Sequence, residues 1–542
     1  MRIRWIAALA AVFVVTGAVN AQPAKAEPTV EVRLRSVNDL IDKAEYVAGL
    51  AGQEEAIKQV RELLKQLSAD GKGIEGIDPK RPFGLTATLS GDVISSPMVI
   101  MVPIADQERF LKLLKDRLDI TPEKAEEGTL KAAVPIINEV YLRFANDYVY
   151  IGRSVKDLSV KTLPTPKVYF AKDDGSVGSV LVRFESIPGE LKTFVIGQFE
   201  IGIAEQRKKN GENESPAQKA FVDWVGDNAT SALKSFLDDA KELQVRVFID
   251  EKADELSGEI TLTSKSGSTL AKNLTNLGGK LSLPAAIVGG GKDSVARITA
   301  KAGLPEGVKK DLGKVVDAAF TEILKDIPEE QKPIVERILK TLAPTLKAGE
   351  VDFAVALNGP DAKGRHTLVG ALGVKDGKEV EKLVKDLVKD FGPFLGDAVT
   401  FNFDVDTVGA FKIHTITVNA MPDDVEKLFG TKKIWLATSE DHIAFSIEPE
   451  GAALKAGLKA KPAAAPVVSV EVALAKLIPI VGKDLKPDEV KALLKDAFGA
   501  GSPAGKDTLS ILITGGDQLT VKGKIKGKGI RLLTSLEQFK VK

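Results

Sequence analysis

The chain has 542 residues, with 75 lysines and arginines against 75 aspartates and glutamates, three histidines, no cysteine and 44% hydrophobic residues. The lack of cysteine excludes thiolate nucleophiles, disulfides, iron–sulfur clusters and cysteine-ligated zinc or haem. Acids and bases are interspersed, so the basic footprint of phosphate neutralisation is missing and no nucleic acid is expected as a partner.

At the start, Arg2 and Arg4 precede an uncharged apolar run from Trp5 to Val19, and small-x-small sites end at Ala21 and Ala26. That pattern predicts a secretory signal peptide over residues 1–26, cleaved after Ala21 or Ala26. The run is shorter than the roughly 20 residues a helix needs to cross a bilayer. No later stretch is apolar enough for a transmembrane segment, so the mature chain is expected in the periplasm or secreted.

After the signal, Ser36 is placed to cap a helix through Leu50, and Gln53–Leu67 continues the helical pattern. Phe83–Leu89 and Met98–Ile104 alternate as strands around Gly91-Asp92. Asp106 then begins a helix with Phe110, Leu113, Leu114 and Leu118 on one face. Tyr141–Ile151 reads as a tight hairpin turning at Asn146-Asp147, Val180–Pro188 as a strand, and Leu256–Ile260 as a strand followed by a helix carrying Leu270 and Leu274. Farther on, Val308–Leu324 and Gln331–Leu342 read as helices, the second ended by Pro344. Phe353–Leu357 and Thr367–Val374 form a hairpin around Asn358-Gly359-Pro360-Asp361. The following helix places Val380, Leu383, Val384, Leu387, Val388 and Phe391 on one stripe.

The second series repeats the first. Phe83 corresponds to Phe353, Asp147 to Asp441, Pro188 to Pro479 and Gly258 to Gly523, at offsets of 270, 294, 291 and 265 residues. The order predicts an α+β fold of two tandem antiparallel-sheet modules with amphipathic helices on one face, residues 27–283 and 293–542, joined by a glycine-rich linker over residues 284–292. Lys208–Gln218, Lys459–Pro466 and Gly499–Lys506 read as exposed connections open to proteolysis.

Motif by motif, catalytic chemistry finds little support. Gly289-Gly290-Gly291-Lys292-Asp293-Ser294 lacks the first glycine and the hydroxyl position of a phosphate loop. His366, His414 and His442 share no short metal-ligand spacing and read as surface or strand-flanking residues. Asp404-Val405-Asp406 reads as the solvated face of a strand, and Ser264–Ser268 as the cap of the next helix. Trp224 and Trp435 are assigned to the core. No catalytic, cofactor-binding or metal residue is picked, and no cofactor is expected. An enzymatic reading would require one of the three histidines to converge with carboxylates.

The order of hairpin, Asp-led helix, second hairpin, strand ending in Ile187-Pro188 or Ile478-Pro479, and Leu256–Thr263 resembles large exported proteins of planctomycete-type bacteria, the DUF3352-like group of secreted domains. The resemblance covers nearly all of the mature chain through structural motifs and implies no functional residues. The expected role is an exported non-enzymatic binding or structural protein of the cell envelope. Its partner would be an envelope protein or, in the alternative, an apolar ligand such as a lipid carried in a groove formed by the two modules.

Overall fold

The computed structural model describes residues 27–542 apart from 54, 56, 60, 63–73, 93–94, 135–137, 172–173, 211–214, 292, 326, 482–485, 500–503 and 541–542. The signal reading at residues 1–26, and most of the helical continuation after Gln53, lie outside the described residues. The fold is α+β, with every paired strand antiparallel. The chain divides into two compact units. The first takes the described residues up to Gly197 with Leu237–Ser264 and Lys524 onward, and the second takes Gln198–Phe236 and Lys265–Gly523.

In the first unit the strands are β1 (Val30–Leu34), β2 (Phe83–Ala87), β3 (Met98–Pro103), β4 (Glu123–Lys124), β5 (Leu130–Val134), β6 (Asn138–Ala145), β7 (Tyr148–Gly152), β8 (Gly178–Arg183), β9 (Ala240–Asp250) and β10 (Glu255–Ser264). Their pairing runs β4-β5-β6-β7-β3-β2-β1-β8-β9-β10. Ser36 caps helix α1 (Val37–Ala51) by accepting from the Asp39 amide. Asn146 and Asp147, at φ 53° and 60°, make the tight turn between β6 and β7. Helix α2 (Gln107–Leu118), capped by Asp106, buries Phe110, Leu113 and Leu114, while Leu118 at its last position stays exposed. Phe110 and Leu114 cover one sheet face around Leu142 and Val149. Tyr169, from the short helix α3 (Pro166–Tyr169), joins Met101, Tyr150 and Leu158 in a second cluster.

The second unit contains β11 (Leu281–Ser282), β12 (Ser294–Gly303), β13 (Glu350–Asn358), β14 (Thr367–Gly373), β15 (Val399–Val408), β16 (Phe411–Val418), β17 (Lys433–Thr438), β18 (His442–Ile447), β19 (Ala463–Ala464), β20 (Val468–Ala473) and β21 (Thr508–Thr514). Its main sheet runs β15-β16-β17-β18-β14-β13-β12-β20-β21, and β11 pairs with β19. One face holds the core, in which Ala354, Ala356, Val369, Ile413 and Trp435 pack against Ile287 and Leu454. Ile287 belongs to helix α4 (Leu283–Val288), so this part of the stretch read as linker is a packed helix, with only Gly290 and Gly291 of its glycines exposed. Local chemistry explains it: Ser282 caps the helix through the Ala285 amide at 3.0 Å, and Pro284 sits in its first turn.

Helices α5 (Glu306–Lys325) and α6 (Lys332–Lys347) follow β12. Pro344 does not end α6 as its chemistry suggested. It lies in the last turn, where its own carbonyl still accepts from the Ala348 amide at 3.1 Å. Helix α7 (Gly377–Leu395) buries Val380 and Leu383 as its stripe predicts, and Trp435 is buried. Trp224 is only partly covered, with its indole N–H donating to the Val308 carbonyl at 3.2 Å, because its helix is not enclosed by the core.

Candidate functional site

Two features of the second unit stand apart from ordinary packing. The first lies where α7 crosses the sheet. On β16, Phe411 and Ile413 point into the core, which puts Lys412 and His414 on the opposite face. That face is not solvent here, because α7 covers it and leaves His414 only 2% exposed. The histidine read as a surface residue is therefore interior, and it meets two carboxylates. One ligand atom each from Glu381, Asp404 and His414 lies within 4.8 Å of the others.

The polar atoms form a directed chain. Pairing between β15 and β16 slips between Asn402 and Asp406, and Asp404 at that bulge takes φ 54°. The distortion aims the Asp404 backbone N–H at His414 Nδ1, at 3.0 Å. With Nδ1 accepting, the ring proton belongs on Nε2, which donates to Thr438 Oγ1 at 3.1 Å. The Thr438 hydroxyl then donates to Glu381 Oε2 at 3.2 Å. Glu381 Oε1 accepts from Lys385 at 2.7 Å and Lys412 at 3.2 Å, and Lys385 also reaches Asp404 Oδ2 at 2.8 Å. The Phe403 ring stands edge-on to the imidazole.

Charge follows from this geometry. Burial pushes the His414 pKa down, against the pull of the two carboxylates. Burial would raise that of Glu381, but the ammoniums of Lys385 and Lys412 hold it below the ordinary carboxylate range. Hydrogen bonding from Lys385 lowers that of Asp404. The donor types would suit a cation, yet the Lys385 ammonium already bridges the two carboxylates and the Nδ1 lone pair is committed to a backbone amide. The cluster is internally satisfied. Of the other histidines, His366 is buried before β14 with its backbone N–H on the Leu428 carbonyl at 2.8 Å, and His442 pairs with its neighbour Asp441 at 2.7 Å. Asp406, the second acid of Asp404-Val405-Asp406, pairs with Lys455 at 2.6 Å.

The second feature is the rest of the face that carries His414. Cross-strand register sets Val355 (β13), Ile298 (β12), Val470 (β20) and Ile511 (β21) in one row. Phe353, Ala300, Val468 and Ile513 form the next. None of these side chains is buried, and Ile298 and Ile511 are 37% and 41% exposed. The opposite face is closed at β12 and β13, with Ala354, Ala356 and Thr299 almost fully covered, whereas at β21 Leu512 is 39% exposed. Helix α6, linked to α7 by Arg337–Asp390 at 2.8 Å, is amphipathic and has no buried residue, and its Leu342 and Leu346 are exposed. The first unit has its own version. Ile100, Leu85, Val32, Val180, Val245 and Ile260 line up across six neighbouring strands, β3 to β10 in pairing order. None is buried there either. Alternation marks Leu85, Ile100, Val180 and Val355 as strand residues; the strands that carry Val32, Val245, Ile298 and Ile511, and the lack of a tight cover on this face, required the tertiary fold.

These features define a protein of two α+β units, each an antiparallel sheet with a row of incompletely covered aliphatic side chains along one face. No family model matches the chain, and no solved structure matches it. Among curated proteins it is similar to the chaperone protein HtpG of Vibrio parahaemolyticus serotype O3:K6 (strain RIMD 2210633), at 25% identity over 200 residues. That region is 35% of this chain and 31% of HtpG, so the chain spans about a third of the relative's length. Among the described residues no helix is long and apolar enough to cross a membrane.

Proposed function

We propose that this chain is an exported, non-enzymatic binding protein of the cell envelope, a duplicated module of the DUF3352-like kind, and that its ligand is the acyl chain of a lipid. The observation that carries the reading is the open aliphatic row Val355–Ile298–Val470–Ile511. Contiguous apolar surface of this kind marks binding sites in soluble proteins. Full burial of such a side chain is worth about 1.5–3 kcal/mol, of which the part still exposed, 37% for Ile298 and 41% for Ile511, remains to be gained on binding. Four strands at a spacing of about 4.8 Å make the row about 14 Å wide, a width that accommodates several methylenes of a chain. The branched, uncharged lining offers no hydrogen bond and selects for hydrocarbon.

Duplication is supported by pairing order. β4 through β9 with β1, β2 and β3 correspond in order to β15, β16, β17, β18, β20 and β21 with β12, β13 and β14, with equivalent neighbours except that β9 also pairs with β10. The non-enzymatic reading is supported by the hydrogen-bond chain around His414, in which both ring nitrogens are already engaged, Nδ1 by the Asp404 amide and Nε2 by Thr438. Export rests on the basic and apolar pattern before Ala26.

The test is native mass spectrometry and lipid extraction of protein purified from its native envelope fraction, with cis-parinaric acid as a solution probe. A lipid adduct is expected, as is a mature N-terminus at Gln22 or Glu27. Ile298→Asp should weaken probe binding at least about tenfold while the urea midpoint stays unchanged. A clean apo mass with no probe binding would overturn the proposal. Capture of unfolded polypeptide in place of lipid would move the reading to a chaperone, as the partial relative is named.

A further inference from the structure

Asp404 offers two opposite groups to one nitrogen of His414. Its backbone N–H donates to Nδ1 at 3.0 Å, and its carboxylate Oδ1 stands 3.9 Å from the same atom. Only one arrangement suits each charge state of the ring. A neutral imidazole accepts the amide at Nδ1 and spends its proton on Thr438. An imidazolium carries a proton at Nδ1, which would then face the amide donor to donor.

We propose that Asp404 and His414 form a pH-operated latch that holds the bulge of the edge strand β15 against β16, beneath helix α7, when the imidazole is neutral and releases it when the ring is protonated. The latch is independent of any ligand on the aliphatic face.

The charged groups around the ring come from three elements: Asp404 on β15, Lys412 on β16, and Glu381 and Lys385 on α7. Two acids and two ammoniums cancel, so the neutral ring completes a neutral cluster and its protonation adds an uncompensated charge. The nearest unspent acceptor for the new proton is the Asp404 carboxylate. Reaching it takes Oδ2 away from Lys385 and breaks the hydrogen bond from the backbone N–H that holds Asp404 at φ 54°. A non-glycine residue leaves that left-handed conformation readily once its restraint is gone. Among the described residues β15 pairs with β16 alone, and Lys385–Asp404 links its bulge to α7, so the bulge loses its hold on β16 and on α7 together. Burial depresses the imidazole pKa below its ordinary 6.5, which places release on the acid side of neutrality and keeps the latch closed above it.

Nitrogen-detected spectra of the histidine rings and backbone amide exchange, both on the full mature chain, test the latch. At about pH 8 His414 is expected as the Nε2-protonated tautomer with a protected Asp404 amide. As the ring titrates, that amide should lose at least about tenfold of its protection after correction for intrinsic exchange, while Ala437 in the core keeps its own. Asp404→Asn retains the backbone donor but removes the carboxylate, so release should move to lower pH. His414→Gln should abolish the pH response, and if that variant does not fold, Asp404→Asn remains decisive. The latch is refuted by an Nδ1-protonated tautomer at high pH, by an Asp404 amide equally protected before and after the ring titrates, by a ring that stays neutral down to about pH 4, or by an Asp404→Asn midpoint that does not move.

Discussion

Thr438 joins His414 to Glu381 through a single hydroxyl that accepts from one and donates to the other. Replacing it by valine keeps the shape but leaves both neighbours short of a partner. Thr438→Val is expected to cost about 1–3 kcal/mol in urea unfolding. Ser282 has a comparable double role: it caps α4 and donates to the buried Asp352 at 2.5 Å, while Lys301 holds the other Asp352 oxygen at 2.8 Å. Ser282→Ala removes cap and partner together, with an expected loss of about 2 kcal/mol by the same measurement. The cap itself was legible in the serine before a proline-led turn. The burial of His414 was not, because alternation within β16 assigns it correctly to the face away from the core but cannot say that a helix from elsewhere in the chain lies over that face.

At the scale of elements, α7 is positioned by the close approach of its first residue to the β17–β18 turn. The Gly377 amide donates to the Glu440 carbonyl at 2.6 Å, and a Cβ on Gly377 would sit 2.1 Å from the Ser439 carbonyl oxygen. No rotamer relieves a clash with backbone, so Gly377→Ala must lift the start of α7 and loosen Glu381 from Thr438. A loss of about 1–3 kcal/mol is expected, with faster amide exchange through the first turns of α7. Helix existence and stripe were readable from the spacing of Val380, Leu383 and their successors. The end of α6 was not readable from Pro344, since proline removes a single amide donor and the last turn of a helix tolerates that loss once the following residues find acceptors.

Across the whole molecule, two buried histidines couple stability to acidity. Burial lowers the pKa of both His366 and His414 from an ordinary 6.5. The unfolded chain then binds more protons than the folded one as pH falls through 6.5, so the contribution is complete above that value and declines below it. Each histidine can remove up to about 1.4 kcal/mol per pH unit until its folded-state pKa is passed. The urea midpoint is expected to fall between about pH 7 and pH 5, and less steeply in His366→Gln. Taken alone, the sequence determined the α+β class, the caps and the hairpins, because each is a local matter of periodicity and turn chemistry. Tertiary structure decided that β1 joins β8, β3 joins β7 and β12 joins β20, and with these pairings which face of each sheet is closed and which aliphatic row stays open. Alternation has a period of two and separates the faces of a strand; only contacts between distant segments determine what, if anything, covers each face.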